Sequence, residues 1–129
     1  MMYLKENNMK IGIDILQVAR IKRIYENEKL MQSMFGQNER EYINNTDKRF
    51  DNLETVAGLY CAKEAFFKAL GVGIQLSQLK EIQVVHDALG APNYQLTEKI
   101  KKEYNIESTT LSISHTNENA VAVCVILFK

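Results

Sequence analysis

The 129-residue chain has no surplus of charge in either direction. Lys+Arg and Asp+Glu stand at 16 each, so the formal net charge is zero. A general nucleic-acid coat needs a strong basic excess, so the composition argues against nucleic acid as a partner and leaves room only for a local basic patch. Cysteine is scarce. Cys61 and Cys124 lie far apart in apolar runs with no Cys-x-x-Cys pair, which argues against metal or redox use. Buried reduced thiols fit a cytoplasmic protein. No apolar stretch reaches the ~18 residues of a membrane span. The opening Met1–Asn8 has no apolar core of a signal peptide. It reads as a loose extension or a misassigned start, with Met9 opening the fold. There is no internal repeat, no low-complexity linker, no persuasive Ser-His-Asp order and no phosphate-binding glycine fingerprint. Gly71-Val72-Gly73 is too short to count as one.

The length suggests one domain, residues 9–129, large enough to bury a core. Ile11, Ile13 and Ile15 alternate with Lys10, Gly12 and Asp14, a strand pattern. Helical spacing follows at Val18, Ile21, Ile24, Tyr25, Leu30 and Met31, and a second short helical pattern spans 35–45. Residues 49–54 form a polar approach to a main helix closed by Gly71. Lys80 to His86 alternates again, and Gly90 and Pro92 punctuate a turn before a strand at 94–96. Thr97 caps a short helix over 98–104, and Thr109 to Ser114 alternates once more. After a turn at Thr116–Asn119, Ala120 to Phe128 is apolar throughout and reads as a strand buried on both faces, with a subunit contact favoured over the core. The expected fold is α+β, a small antiparallel or mixed sheet packed against a long central helix.

That helix carries the most informative residues. From Val56 to Leu70 nearly every position is apolar, yet Lys63, Glu64 and Lys68 interrupt it. A helix apolar all round is normally buried, and charges on it must be paired, metal-bound or open to a pocket. Glu64 and Lys68 share a face, where the bland alternative is a helix ion pair worth only ~0.2–0.5 kcal/mol. The small Ala57 and Cys61 beside them leave room for an approach to the carboxylate.

A second acid, Asp14, sits where strand gives way to helix. It is either a helix N-cap or a metal ligand. Mg²⁺ usually takes one or two protein carboxylates, with phosphate oxygens and waters completing its shell. Asp14 and Glu64 could supply that pair, and Lys63 and Lys68 could offset phosphate charge, an arrangement suited to reactions at a pyrophosphate. Arg20 and Arg23 share a helix face, either simply solvated or a docking strip for an acidic partner. Ser114, His115 and Thr116 crowd polar groups at a strand end. His86, by a turn beside Asp87, is given no role.

Together these pieces resemble the bacterial holo-acyl-carrier-protein synthases, a family of 4′-phosphopantetheinyl transferases. The resemblance runs from about Met9 to the C-terminus. It rests on Gly12-Ile13-Asp14-Ile15 with Arg20-Ile21, on Phe35-Gly36-Gln37-Asn38-Glu39, and on Ala62-Lys63-Glu64-Ala65 with Lys68-Ala69 and Gly71-Val72-Gly73. Asp87 with Gly90 and Pro92, and Ser112-Ile113-Ser114-His115-Thr116 with Ala120, complete it.

The resemblance implies a 4′-phosphopantetheinyl transferase-like fold. It implies transfer of the phosphopantetheine arm of coenzyme A to a serine of apo acyl carrier protein, leaving adenosine 3′,5′-bisphosphate and supporting fatty acid biosynthesis. Asp14 and Glu64 match Mg²⁺-binding positions, and Lys68 a phosphate-contacting lysine. Gly71, Gly73, Ser114, His115 and Thr116 match the coenzyme A site. Arg20 matches a carrier-protein contact, with Arg23 beside it. A homotrimer with active sites between subunits is also implied.

Two departures stand out. Leu59 follows Gly58 where the family commonly has arginine, and Gly36 follows Phe35 where threonine is frequent. Two other classes fit less of the pattern. One is a non-catalytic module binding coenzyme A or another acidic nucleotide, which needs the basic residues but not both acids. The other is a purely structural oligomer.

Overall fold

A computed structural model describes residues 8–46 and 52–129. Strand β1 (Met9–Gln17) runs into a 3₁₀ turn (Val18–Ile21) and the single-turn helix α1 (Lys22–Tyr25). Helices α2 (Glu28–Met34), α3 (Gln37–Asn44) and α4 (Asn52–Leu70) follow. A second 3₁₀ turn (Leu76–Glu81) leads into the hairpin of β2 (Ile82–His86) and β3 (Pro92–Leu96). The chain ends with α5 (Glu98–Glu103), β4 (Ile106–His115) and β5 (Asn119–Phe128). Two sheets result, one ordered β1-β5-β4 and the other β2-β3, and every pairing is antiparallel. The expected α+β architecture is present, with all pairing antiparallel.

The helical spacing from Val18 to Met31 is divided between a 3₁₀ turn, α1 and α2. Asn27 adopts an extended backbone and its side chain accepts the Leu30 N–H, so it ends one segment and caps the next. Residues 49–51 of the polar approach lie outside the described residues, as does Met1–Asn7, and 52–54 already belong to α4. Asn8, assigned to the extension, already joins the sheet: its carbonyl accepts the Phe128 N–H. The strand expected from Lys80 begins at Ile82, because Lys80 and Glu81 close the 3₁₀ turn.

Helix α4 is the centre of the core, as its composition predicts. Ala57, Cys61, Ala62, Ala65, Phe66 and Phe67 are all at most 1 % exposed. Each fully buried large apolar side chain contributes roughly 1.5–3 kcal/mol. The helix ends in a Schellman motif: Gly71 has φ +77°, its N–H reaches the Lys68 carbonyl, and the Val72 N–H reaches that of Phe67.

The sheet meets α4 through one face only. On β5, Ala120, Ala122, Cys124 and Ile126 point to the helix and are buried, while Val121, Val123 and Val125 are half-buried on the other side. The expectation that β5 is covered on both faces therefore holds for one face within the single chain. On β1 the alternation places Gly12 and Asp14 toward α4, while Ile11, Ile13 and Ile15 face outward, 68 %, 59 % and 69 % exposed. Gly12 explains why this face meets the helix. A Cβ there would lie 2.0 Å from the Ala65 carbonyl oxygen and 2.5 Å from the Ala69 nitrogen, so only glycine lets α4 rest directly on β1.

Candidate active site

The Gly12 contact sets the geometry of the acids. Two residues further along β1, Asp14 pairs in register with Ala122 and points toward α4. It is thus a mid-strand residue and not a helix cap, since the strand continues to Gln17. The Lys68 ammonium reaches across to Asp14 Oδ1 at 3.0 Å. Glu64, one turn back on α4, accepts a hydrogen bond at 2.9 Å from the Tyr60 hydroxyl. The helix ion pair between Glu64 and Lys68 is therefore not formed: each side chain has another partner.

Both carboxylates act on the same neighbours. The Cys61 thiol is pushed up to about 12, first by burial, then by Asp14, with Glu64 adding to it. The Tyr60 phenol is raised by burial, then by Glu64, with Asp14 also contributing, so it remains a donor. Cys61 and Cys124 are both free and buried, the burial expected of them.

Lys63 corrects an expectation. It does not face a phosphate site. Its ammonium is fully buried, 2.8 Å from Glu39 Oε1, and also donates to the carbonyls of Leu79 and Ile82. Glu39 accepts the Gly36 and Val84 N–H groups as well. Burial pushes Glu39 up and Lys63 down, and each one's charge opposes the other's shift. This node ties α4 to the start of α3 and to β2. Gly36, just before α3, lies against the Gln83 side chain, whose flexible end a Cβ at this position would displace.

The Ser114, His115 and Thr116 segment lies toward the other end of α4. His115 Nδ1 is 3.3 Å from Glu54 Oε1, and the Thr116 hydroxyl accepts the Glu118 and Asn119 N–H groups in the turn. Glu54 and Glu64 are ten residues apart on one helix, a spacing of ~15 Å. Within one chain the candidate residues thus form two stations: Asp14, Glu64 and Lys68 at one, His115 and its neighbours at the other. A cleft of about 160 Å³ opens beside His115, lined by Gly58, Leu59, His86 and Pro92 among others. His86, which sequence reasoning left without a role, stacks on Tyr42 there with ring centroids 3.9 Å apart. Leu59, at the arginine departure, is 2 % exposed and packs in the core. Gly71 and Gly73 are exposed just past Lys68, and the positive φ of Gly71 already accounts for a glycine at that position. Arg20 and Arg23 are exposed and neither has an acidic partner among the described residues. The larger cleft of about 390 Å³, between α1, α2 and α3, contains none of the candidate residues.

The donor set at the first station fits Mg²⁺. Among the described residues no cluster of three or more His, Cys, Asp or Glu is present, so no all-protein cage exists. Two neighbouring carboxylates, one of them with an oxygen not engaged by Tyr60, match an ion that draws its remaining ligands from phosphate and water.

A long helix laid on a three-stranded sheet, with two acids and a lysine at their seam, defines a class. The family model described as the 4′-phosphopantetheinyl transferase superfamily matches residues 10–124. The holo-[acyl-carrier-protein] synthase of Clostridium botulinum is 40% identical over 119 residues, 90% of this chain and 94% of that protein. The crystal structure of the Bacillus anthracis holo-(acyl-carrier-protein) synthase in complex with CoA (3′,5′-ADP) is 34% identical, with a TM-score of 0.75 over 93% of this chain and 96% of that one. The Helicobacter pylori synthase in complex with coenzyme A is 31% identical, with a TM-score of 0.75 over 90% and 98%. The chain belongs to the 4′-phosphopantetheinyl transferase superfamily, in its holo-[acyl-carrier-protein] synthase branch.

Proposed function

We propose that this chain transfers the 4′-phosphopantetheine arm of coenzyme A to a serine of apo acyl carrier protein. The observation that carries the reading is the Asp14–Lys68 ion pair at the β1–α4 seam, with Glu64 one turn back on α4 and both carboxylates acting on Tyr60 and Cys61. Relatives named for this reaction, two of them solved with coenzyme A, support it. A coenzyme A module without catalysis, the alternative drawn from the sequence, is not favoured, because it leaves the second acid unexplained.

The serine oxygen of the carrier attacks the phosphorus that bears the pantetheine arm. The bond from that phosphorus to the bridging oxygen of the pyrophosphate breaks, and adenosine 3′,5′-bisphosphate leaves. The serine proton passes to Glu64 or to a water beside it. Mg²⁺, held by Asp14 and Glu64 when bound, would draw charge from the pyrophosphate. Lys68 is 53 % exposed in its side chain and is free to exchange Asp14 for a phosphate oxygen as charge accumulates there. Gly71 and Gly73 leave open backbone beside Lys68, and Ser114, His115 and Thr116 take a more distant part of the same extended ligand. Arg20 and Arg23, without an acidic partner among the described residues, present their guanidinium groups to the acidic face of the carrier.

The outer face of the sheet supports assembly into a homotrimer. The cross-strand pairs Ile11↔Val125, Ile13↔Val123 and Ile15↔Val121 form one apolar stripe on the outer face, with the three isoleucines 68 %, 59 % and 69 % exposed. Such a stripe marks a contact surface. Further copies of this chain cover it, and the His115 station of one copy can then complete the acid station of another. Among the described residues no helix is long and apolar enough to cross a membrane.

The test is mass spectrometry of an apo carrier protein incubated with this protein, coenzyme A and Mg²⁺. The carrier gains one phosphopantetheine. An unmodified carrier with no bisphosphate released would remove the reading.

A further inference from the structure

The proposal concerns Tyr60 and rests on the metal-dependent reading above. Glu64 has two neighbours one turn away on α4, Tyr60 behind it and Lys68 ahead. Glu with Lys four residues ahead is the favoured helix pairing. In this chain it is not made. The Tyr60 hydroxyl donates to Glu64 Oε1 at 2.9 Å, and the Lys68 ammonium lies 3.0 Å from Asp14 instead. Side chains on a helix lean toward its N-terminus, so the bond to Tyr60 follows the natural tilt of Glu64. Tyr60 is half-buried, which limits the swing of its ring.

We infer that Tyr60 is a positioning residue: its hydroxyl holds Glu64 by one carboxylate oxygen, presents the other to the metal, and keeps Glu64 from closing on Lys68. Two consequences follow from that one bond. Glu64 serves as a one-oxygen ligand of fixed orientation, and Lys68 stays available to Asp14 and to phosphate. Partners that orient a metal ligand in this way commonly matter almost as much as the ligand itself.

The discriminating variant is Tyr60→Phe, which keeps the ring and deletes only the donor. Mn²⁺ serves as the probe, with free Mn²⁺ followed by electron paramagnetic resonance in the presence of coenzyme A and without carrier, so binding is read apart from turnover. Wild type binds Mn²⁺, Glu64→Gln does not, and Tyr60→Phe binds on the order of tenfold more weakly with an unchanged melting temperature. Steady-state kinetics on Tyr60→Phe show a raised Mg²⁺ requirement with the KM for carrier unchanged. Mn²⁺ affinity in Tyr60→Phe within about twofold of wild type overturns the inference, as does a variant altered only in carrier KM, since that makes Tyr60 a docking contact. Failure of wild type itself to bind Mn²⁺ removes the metal reading and this inference together.

Discussion

Lys63 and Glu39 face each other at 2.8 Å with both side chains fully shielded from water. A pair in that setting is costly to break, because removing one partner strands a buried charge. Lys63→Met is expected to lower stability by about 3–5 kcal/mol in urea unfolding. Adding Glu39→Gln should recover part of the loss, since the amide oxygen still accepts a backbone N–H. Near-wild-type stability for Lys63→Met, with a raised KM for coenzyme A, would instead return Lys63 to the phosphate site.

Gly12 fixes the spacing of the acids. In Gly12→Ala the new methyl meets the Ala65 and Ala69 backbone, which cannot rotate away. Overpacking of this kind costs about 1–3 kcal/mol. Its effect on turnover should be larger, roughly a hundredfold in kcat, because displacing α4 from β1 separates Asp14 from Glu64. Comparable loss in melting temperature and activity, with Mn²⁺ binding intact, would show that the close approach serves packing alone.

Much of this site was legible in the sequence because the chemistry is local. Glu64 and Lys68 stood out as charges in an apolar helix, and Asp14 as an acid after an alternating strand. Their partners were not legible. Lys68 takes Asp14 across 54 positions and Lys63 takes Glu39 across 24, while spacing alone favoured the helix neighbours. The inward side of β1 was likewise hidden. The alternation of three isoleucines marks a strand without saying which side meets the core; the core lies where glycine allows the helix to approach, and the isoleucines face outward. Tyr60 was visible only as one more aromatic in the core pattern, since its hydroxyl matters through a single bond to Glu64.

His86 supplies a pH dependence whose sign is fixed. Burial lowers it below the ordinary 6.5, with Asp87 opposing that shift, so the folded chain binds its proton less readily than the unfolded chain. Its contribution is complete above about pH 6.5 and is lost as pH falls toward its lower folded value. Thermal unfolding between pH 7.5 and 5.5 should show a falling melting temperature, and His86→Phe, which keeps a ring against Tyr42, should flatten that fall. An identical slope in the variant would place the effect on another group.

Arg20 and Arg23 are exposed, so their loss should leave the fold and the chemistry intact. Arg20→Ala is expected to raise the carrier KM roughly two- to fivefold, the equivalent of a partly exposed ion pair worth up to about 1 kcal/mol. The kcat should hold, and the variant should lose part of the salt sensitivity of carrier binding. A drop in kcat at unchanged carrier KM would move Arg20 from docking to the reaction itself.

Ile13 tests the assembly. At 59 % exposure in the single chain, it is a surface residue, and surface substitutions usually change stability by less than about 0.5 kcal/mol. In a monomer Ile13→Lys should therefore be silent. In a trimer the same change places three charges in a buried apolar stripe beside Val123, its cross-strand partner. Light scattering should then find three chains for the wild type and one for Ile13→Lys. The melting temperature should fall and lose the dependence on protein concentration that assembly confers on the wild type, and transfer should fall with it, because the His115 station no longer reaches its neighbour's acids. A wild type that scatters as one chain while turning over normally would place the whole reaction within a single chain, and the outward isoleucines would need another partner.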